Sequence, residues 1–115
     1  SPMNTLFIIN DAPYGSERSY NALRLARALG KKKGETVRVF LMGDAVACAK
    51  AGQRVPEGYY NAGDMVRTVG GDVALCGTCL NARGIADDEL ISGARRGTLD
   101  QLAAWTAEAD NVLVF

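Results

Sequence analysis

The side chains with chemistry to offer are concentrated in one tetrapeptide, Cys76-Gly77-Thr78-Cys79. A cysteine thiolate is the nucleophile of disulfide, persulfide and acyl chemistry, so this pair is the first candidate for a site. The spacing sets Cys79 about one helical turn beyond Cys76, near enough to form a disulfide or to receive a sulfur atom. The same two residues could instead be small buried hydrophobes, because free cysteine packs readily in cores. A third cysteine, Cys48, sits among alanines and Val46 and reads as core.

Other chemistries lose their usual residues. The chain has no histidine, which removes Ser-His and Cys-His nucleophile pairs and the commonest transition-metal ligand. A zinc site on Cys76 and Cys79 would need two further ligands, leaving only Cys48 and carboxylates to choose from. No metal is therefore expected. The loop Asp11 to Ser16 has Gly15 as its one flexible residue and lacks both Gly-x-Gly-x-x-Gly and the Gly-Lys-Ser/Thr of a P-loop, so no nucleotide cofactor is expected either. Tyr14 in that loop either packs over a neighbouring loop or lines a pocket. A thioredoxin-like site is disfavoured, because Arg83-Gly84 cuts short the helix that the cysteines open.

Composition bounds the rest. The 115 residues suit a single domain over 3–115, with Ser1-Pro2 before Met3 resembling a tag remnant. An apolar fraction of 48% against 23% charged residues is that of an ordinary globular protein. Net charge is zero, which argues against direct nucleic-acid binding. The longest apolar runs are too short to span a bilayer, and the first residues lack a secretory pattern. An odd, low cysteine count fits a reducing compartment, so the expected location is cytoplasmic.

The elements that must position the cysteines follow from pattern. Strands are expected at Thr5 to Ile9, Thr36 to Met42, Asp72 to Cys76 and Asn111 to Phe115. Between the first two, Ser16 is expected to cap a helix whose buried stripe is Ala22, Leu25, Ala26 and Leu29. Lys31, Lys32 and Lys33 read as a solvated helix end, with Gly34 as the stop. Short helices are expected from the Asp44 cap to Ala51, over Asn61 to Val69, from Thr78 to Arg83, and over Asp88 to Ser92. Thr98-Leu99-Asp100-Gln101 has capping-box spacing and opens a last helix to Ala109, with Leu99, Leu102, Ala103 and Thr106 inward and Trp105 on a flank. Alternating strands and helices define an α/β fold: a three-layer sandwich with a mostly parallel sheet of about five strands and helices on both faces. Sites in such sheets form at the carboxyl ends of strands, which is where Cys76 falls. There the first amides of the next helix are expected to favour a thiolate.

The segment Leu75 to Ile85, with Cys76 eight residues before the glycine of Arg83-Gly84, resembles the cysteine region of the DsrE/DsrF/TusD family of sulfur-relay proteins. Asp11 to Ser16 with the alanine-rich helix after it, and the closing Ala109 to Phe115, resemble the family's first loop and last strand. The resemblance implies a flavodoxin-like α/β fold and a Cys76 that carries sulfane sulfur as a persulfide. It also implies homotrimers or hexamers, and sulfur exchange with donor and acceptor proteins or small thiols. A second cysteine three residues on departs from the sulfur-relay pattern. Cys79 could therefore discharge the persulfide as a disulfide, or make the pair redox-active; a non-catalytic oligomeric binding module is the third alternative. Gly77, Thr78, Arg83 and Tyr14 are carried as residues lining the site.

Overall fold

The computed structural model describes residues 3–115, so the reading of Ser1-Pro2 as a tag remnant lies outside the described residues. Five strands, β1 (Met3–Ile9), β2 (Glu35–Leu41), β3 (Asp72–Cys76), β4 (Ala94–Gly97) and β5 (Asn111–Val114), form one sheet in the order β4-β3-β2-β1-β5. Every pairing in it is parallel. The helices are α1 (Arg18–Gly30), α2 (Ala62–Arg67), α3 (Gly77–Ala82) and α4 (Leu99–Glu108), with 3₁₀ segments at Gly43–Ala49 and Asp87–Glu89. The α/β class and the covered parallel sheet are as expected.

The two faces are covered unequally. Phe7, Ile9, Val37, Val39, Leu41, Val73 and Leu75 meet α1, α2, α3 and the first 3₁₀ segment in the larger core. On the other face a small core of Leu6, Phe40 and Ala74 lies under Leu102 and Trp105 of α4. Trp105 meets Phe40 edge-on at 6.2 Å, with the guanidinium carbons of Arg38 and Arg95 5.2 Å and 5.8 Å from its ring centroid. Beyond the reach of that one helix the second face is bare: Val112 and Val114 are exposed.

Several local expectations are corrected. Helix α1 buries Ser19, Ala22, Leu23 and Ala26, while Leu25 points outward. The spacing is the same but the stripe is shifted by three residues, because Ser19 is accepted into the core by donating its hydroxyl to the Asp11 carbonyl at 2.7 Å. Glu17, and not Ser16, precedes the helix, and Ser16 instead donates to the Asp11 carboxylate. Asp44 makes no cap bond, since the 3₁₀ segment already starts at Gly43. In α4, Leu102 and Trp105 face inward, whereas Leu99 and Ala103 face solvent. The expected helix Asp88 to Ser92 is only the 3₁₀ turn Asp87–Glu89, after which the chain extends and enters β4. No element was expected at Ala94–Gly97: an edge strand reading Ala-Arg-Arg-Gly carries no apolar run.

Candidate functional site

Strand β3 delivers Cys76 to the carboxyl edge of the sheet, where it is both the last strand residue and the cap of α3. Its Sγ accepts the Cys79 amide N–H at 3.3 Å, satisfying one of the free donors of the first turn. The side chain is half-buried and packs against both cores. Cys79, also half-buried, presents its own Sγ to the amide of Gly43 at 3.2 Å. The two thiols are free.

Burial raises the Cys76 thiol above its ordinary titration range, and the Cys79 thiol beside it adds to the rise. The amides of Cys79 and Thr78 pull the other way without prevailing. The expected amide contact is therefore present, but its effect on ionisation is outweighed by desolvation. Near neutral pH the resting form of Cys76 is the thiol.

Cys76 and Cys79 open onto a cleft of about 500 Å³ that is also lined by Gly77, Thr78, Asn81, Arg96, Gly97, Thr98 and Leu99. Gly77 is there for space: a Cβ on it would lie 3.1 Å from the Gly97 carbonyl and 3.2 Å from the Arg96 guanidinium. Arg96 was not singled out from the sequence, because a strand arginine looks like surface charge. It donates to the Gly77 carbonyl and to Asn81, and its Nε donates to Asp87 at 2.6 Å. The other two expected lining residues lie elsewhere. Arg83 is turned to the far side of α3, where it pairs with Asp44 at 2.8 Å. The hydroxyl of Tyr14 donates to the Tyr60 carbonyl and accepts the Ala62 amide, and its ring lines a separate cavity of about 290 Å³. Cys48 is fully buried, and burial lifts its thiol to about 11. Among the described residues no three of the His, Cys, Asp and Glu side chains cluster as metal ligands would, and no helix is long and apolar enough to cross a membrane.

The family model described as DsrE/DsrF-like matches residues 3–115. The chain belongs to the DsrE/DsrF-like family. Protein YchN of Escherichia coli K12 is 45% identical over 114 residues, covering 96% of this chain and 97% of YchN. The uncharacterized protein MK0008 of Methanopyrus kandleri is 38% identical over 110 residues, covering 94% of this chain and 90% of its own. The crystal structure of E. coli YchN superposes with a TM-score of 0.92 at 44% identity, covering 98% of this chain and 99% of that one. A protein of unknown function from Methanobacterium thermoautotrophicum, MTH1491, has a TM-score of 0.75 at 14% identity over the full length of both chains, and so shares the fold. Membership of the DsrE/DsrF-like family is membership of a family of sulfur-relay type.

Proposed function

We propose that this DsrE/DsrF-like chain carries sulfane sulfur as a persulfide on Cys76 and passes it to an acceptor thiol. The observation that carries the reading is the placement of Cys76 Sγ, which accepts an α3 amide at the mouth of an open cleft at the carboxyl edge of the sheet. The Cys76 thiolate attacks the outer sulfur of a donor persulfide R–S–SH. A bond forms from Sγ to that sulfur, the bond to R–S breaks, and R–S⁻ leaves with the electron pair. An acceptor thiolate repeats the exchange and regenerates Cys76. A persulfide is a stronger acid than a thiol, so the loaded side chain is an anion for which the same amides are suitable partners.

The resting thiol has to lose its proton before the first attack. A donor that approaches as an anion, or that brings a base, is therefore favoured over slow capture of a neutral thiol. The cleft is open and Leu99 stands exposed at its rim, which suits a persulfide presented by a partner protein or a small thiol. The bare second face at β5 suits a further copy of the chain, giving a homo-oligomer. The reading places the protein in the cytoplasm, where thiols stay reduced.

A second reading rests on the two cysteines sharing the first turn of α3, where the Cys79 amide donates to Cys76 Sγ. Cys76 and Cys79 could cycle between dithiol and disulfide. Intact mass separates the two. After incubation of reduced protein with a sulfane-sulfur donor, transfer adds one sulfur atom that is lost in Cys76→Ser and kept in Cys79→Ser. Loss of two hydrogens under mild oxidant, dependent on both cysteines and without sulfur gain, supports the redox cycle instead. No change in mass under either condition removes both and leaves a binding module.

A further inference from the structure

Cys79 is held from two sides by a pair of residues on different elements. Arg83, one turn along from Cys79, donates from Nη1 to the Cys79 carbonyl at 3.1 Å and from Nη2 to Asp44 Oδ1 at 2.8 Å. Asp44 directly follows Gly43, whose amide donates to Cys79 Sγ at 3.2 Å. The contacts thus close a ring: Cys79 sulfur, Gly43 amide, Asp44 carboxylate, Arg83 guanidinium, Cys79 carbonyl. Gly43 turns into this position with φ +52°, in the left-handed region that glycine enters most readily.

Energetics say what the ion pair is for. Asp44 has a side chain 70% exposed, and an exposed pair of this kind contributes little to folding. What the pair does supply is geometry, since it fixes the start of the 3₁₀ segment against α3.

We propose that Asp44 and Arg83 are positioning residues that keep the Gly43 amide on the Cys79 sulfur, so that Cys79 serves as the resolving thiol for Cys76. This rests on the sulfur-carrier reading. Cys79 as thiolate attacks Cys76 Sγ of the persulfide; the Cys76–Cys79 disulfide forms, the bond to the sulfane sulfur breaks, and hydrosulfide leaves with the electron pair. A low-molecular-weight thiol then reduces the disulfide, and two such thiols become one disulfide as the site resets.

Alkylation tests the geometry without any sulfur donor. In Cys76→Ser protein the rate of iodoacetamide addition to Cys79 is measured by peptide mass at neutral pH. Asp44→Ala and Arg83→Gln are each expected to slow it roughly threefold to tenfold, the size of one lost hydrogen bond to the anion. Asp44→Asn keeps an oxygen for Arg83 and is expected to retain more than half of the rate. The double variant Asp44→Ala with Arg83→Gln should fall no further than either single change, because both break one ring. A faster reaction in Asp44→Ala, the sign expected from loss of a nearby carboxylate alone, overturns the proposal, as does an unchanged rate. If Cys79→Ser protein takes up no sulfur, the sulfur-carrier reading fails, and with it the resolving role; if the protein with both cysteines keeps its added sulfur as Cys79→Ser does, the resolving role alone fails, and the alkylation series still decides the brace.

Discussion

Arg96 Nη1 donates to the carbonyl oxygen of Gly77 at 3.0 Å, tying the residue after the candidate nucleophile to the neighbouring strand. The same nitrogen reaches Asn81 Oδ1 at 3.0 Å, so the guanidinium spans most of α3. Lysine has one nitrogen on a flexible stem and cannot hold Gly77, Asn81 and Asp87 together. Arg96→Lys is therefore expected to keep the fold, with a loss of roughly 1 kcal/mol, while cutting the rate of sulfur loading on Cys76 several-fold. Thermal unfolding and intact-mass time courses check the two halves. Loading at the wild-type rate in Arg96→Lys would show that the Arg96 tether does not matter for the site.

Gly77 gives a complementary test from the other side of the same contact. A methyl group there is pressed between the Gly97 carbonyl and Arg96. Overpacking of this kind costs about 1–3 kcal/mol when neighbours must move. Here the flexible Arg96 side chain can yield but the Gly97 carbonyl is strand backbone, which places Gly77→Ala inside that range, while the displaced arginine releases α3. Loading should fall more than stability does. Equal losses in both would mean that Gly77 acts only through the fold.

The raised thiol of Cys76 makes its reactivity depend on pH in a definite direction. A titration above the ordinary 9.0 leaves less thiolate at neutral pH, so alkylation of Cys76 should climb steeply through the alkaline range. Replacing Cys79 with alanine removes a neighbour that favours the neutral thiol but leaves the Cys79 amide and the burial. Cys79→Ala should therefore bring the midpoint down without restoring the value of a free cysteine. Rates of iodoacetamide addition at Cys76, followed by fragment mass over a pH series, measure both shifts. A midpoint below 9.0 in the wild-type chain would contradict the balance between burial and amide bonding described above.

The sheet was legible because β1, β2 and β3 are near-continuous apolar runs, as strands buried on both faces must be. Cys76 was legible as a site for the same reason: it ends such a run just before a helix. What the pattern could not show depends on contacts between distant segments. The orientation of α1 depends on the Ser19 hydroxyl finding the Asp11 carbonyl, and no local periodicity encodes that bond. β4 exists because Ala94 to Gly97 can pair with Val73 to Cys76, although its own residues carry no strand signal. Arg83 and Asp44 each have an ordinary local reading, helix-end cation and helix cap. Only the 39-residue closure between them shows that they act together.

The uncovered face predicts how the chain assembles. Val114 is 65% exposed on a strand paired on one side only, and Leu99 is 69% exposed beside the Cys76 cleft. A copy seated on the β5 edge would bury Val114. Val114→Asp adds a charge that such an interface cannot hydrate, while at an exposed edge position it should cost the fold less than about 1 kcal/mol. Light scattering after gel filtration should show the variant as a monomer and the unmodified chain as an oligomer. An unmodified chain that is already monomeric at micromolar concentration would remove the homo-oligomer from the proposed function.

Cys48 makes alkaline stability a probe of the larger core. Its thiol titrates near 11 in the folded chain against 9.0 when free, mainly because burial penalises the thiolate. Between those values the unfolded chain has lost this proton and the folded chain still holds it. Stability from the group is thus complete below about pH 9 and is lost as pH rises towards 11. A displacement of about two units corresponds to roughly 2–3 kcal/mol across that window. Tyr60, whose titration is also raised, mainly by burial and then by Tyr14, adds a loss of the same sign at higher pH. Cys48→Ala removes the thiol and with it the first of these slopes, at the cost of a small cavity that lowers stability equally at every pH. Urea unfolding at a series of pH values from 7 to 11 should show the slope between 9 and 11 shallower in Cys48→Ala. Parallel curves for the two proteins would mean that Cys48 ionises as freely in the core as in water.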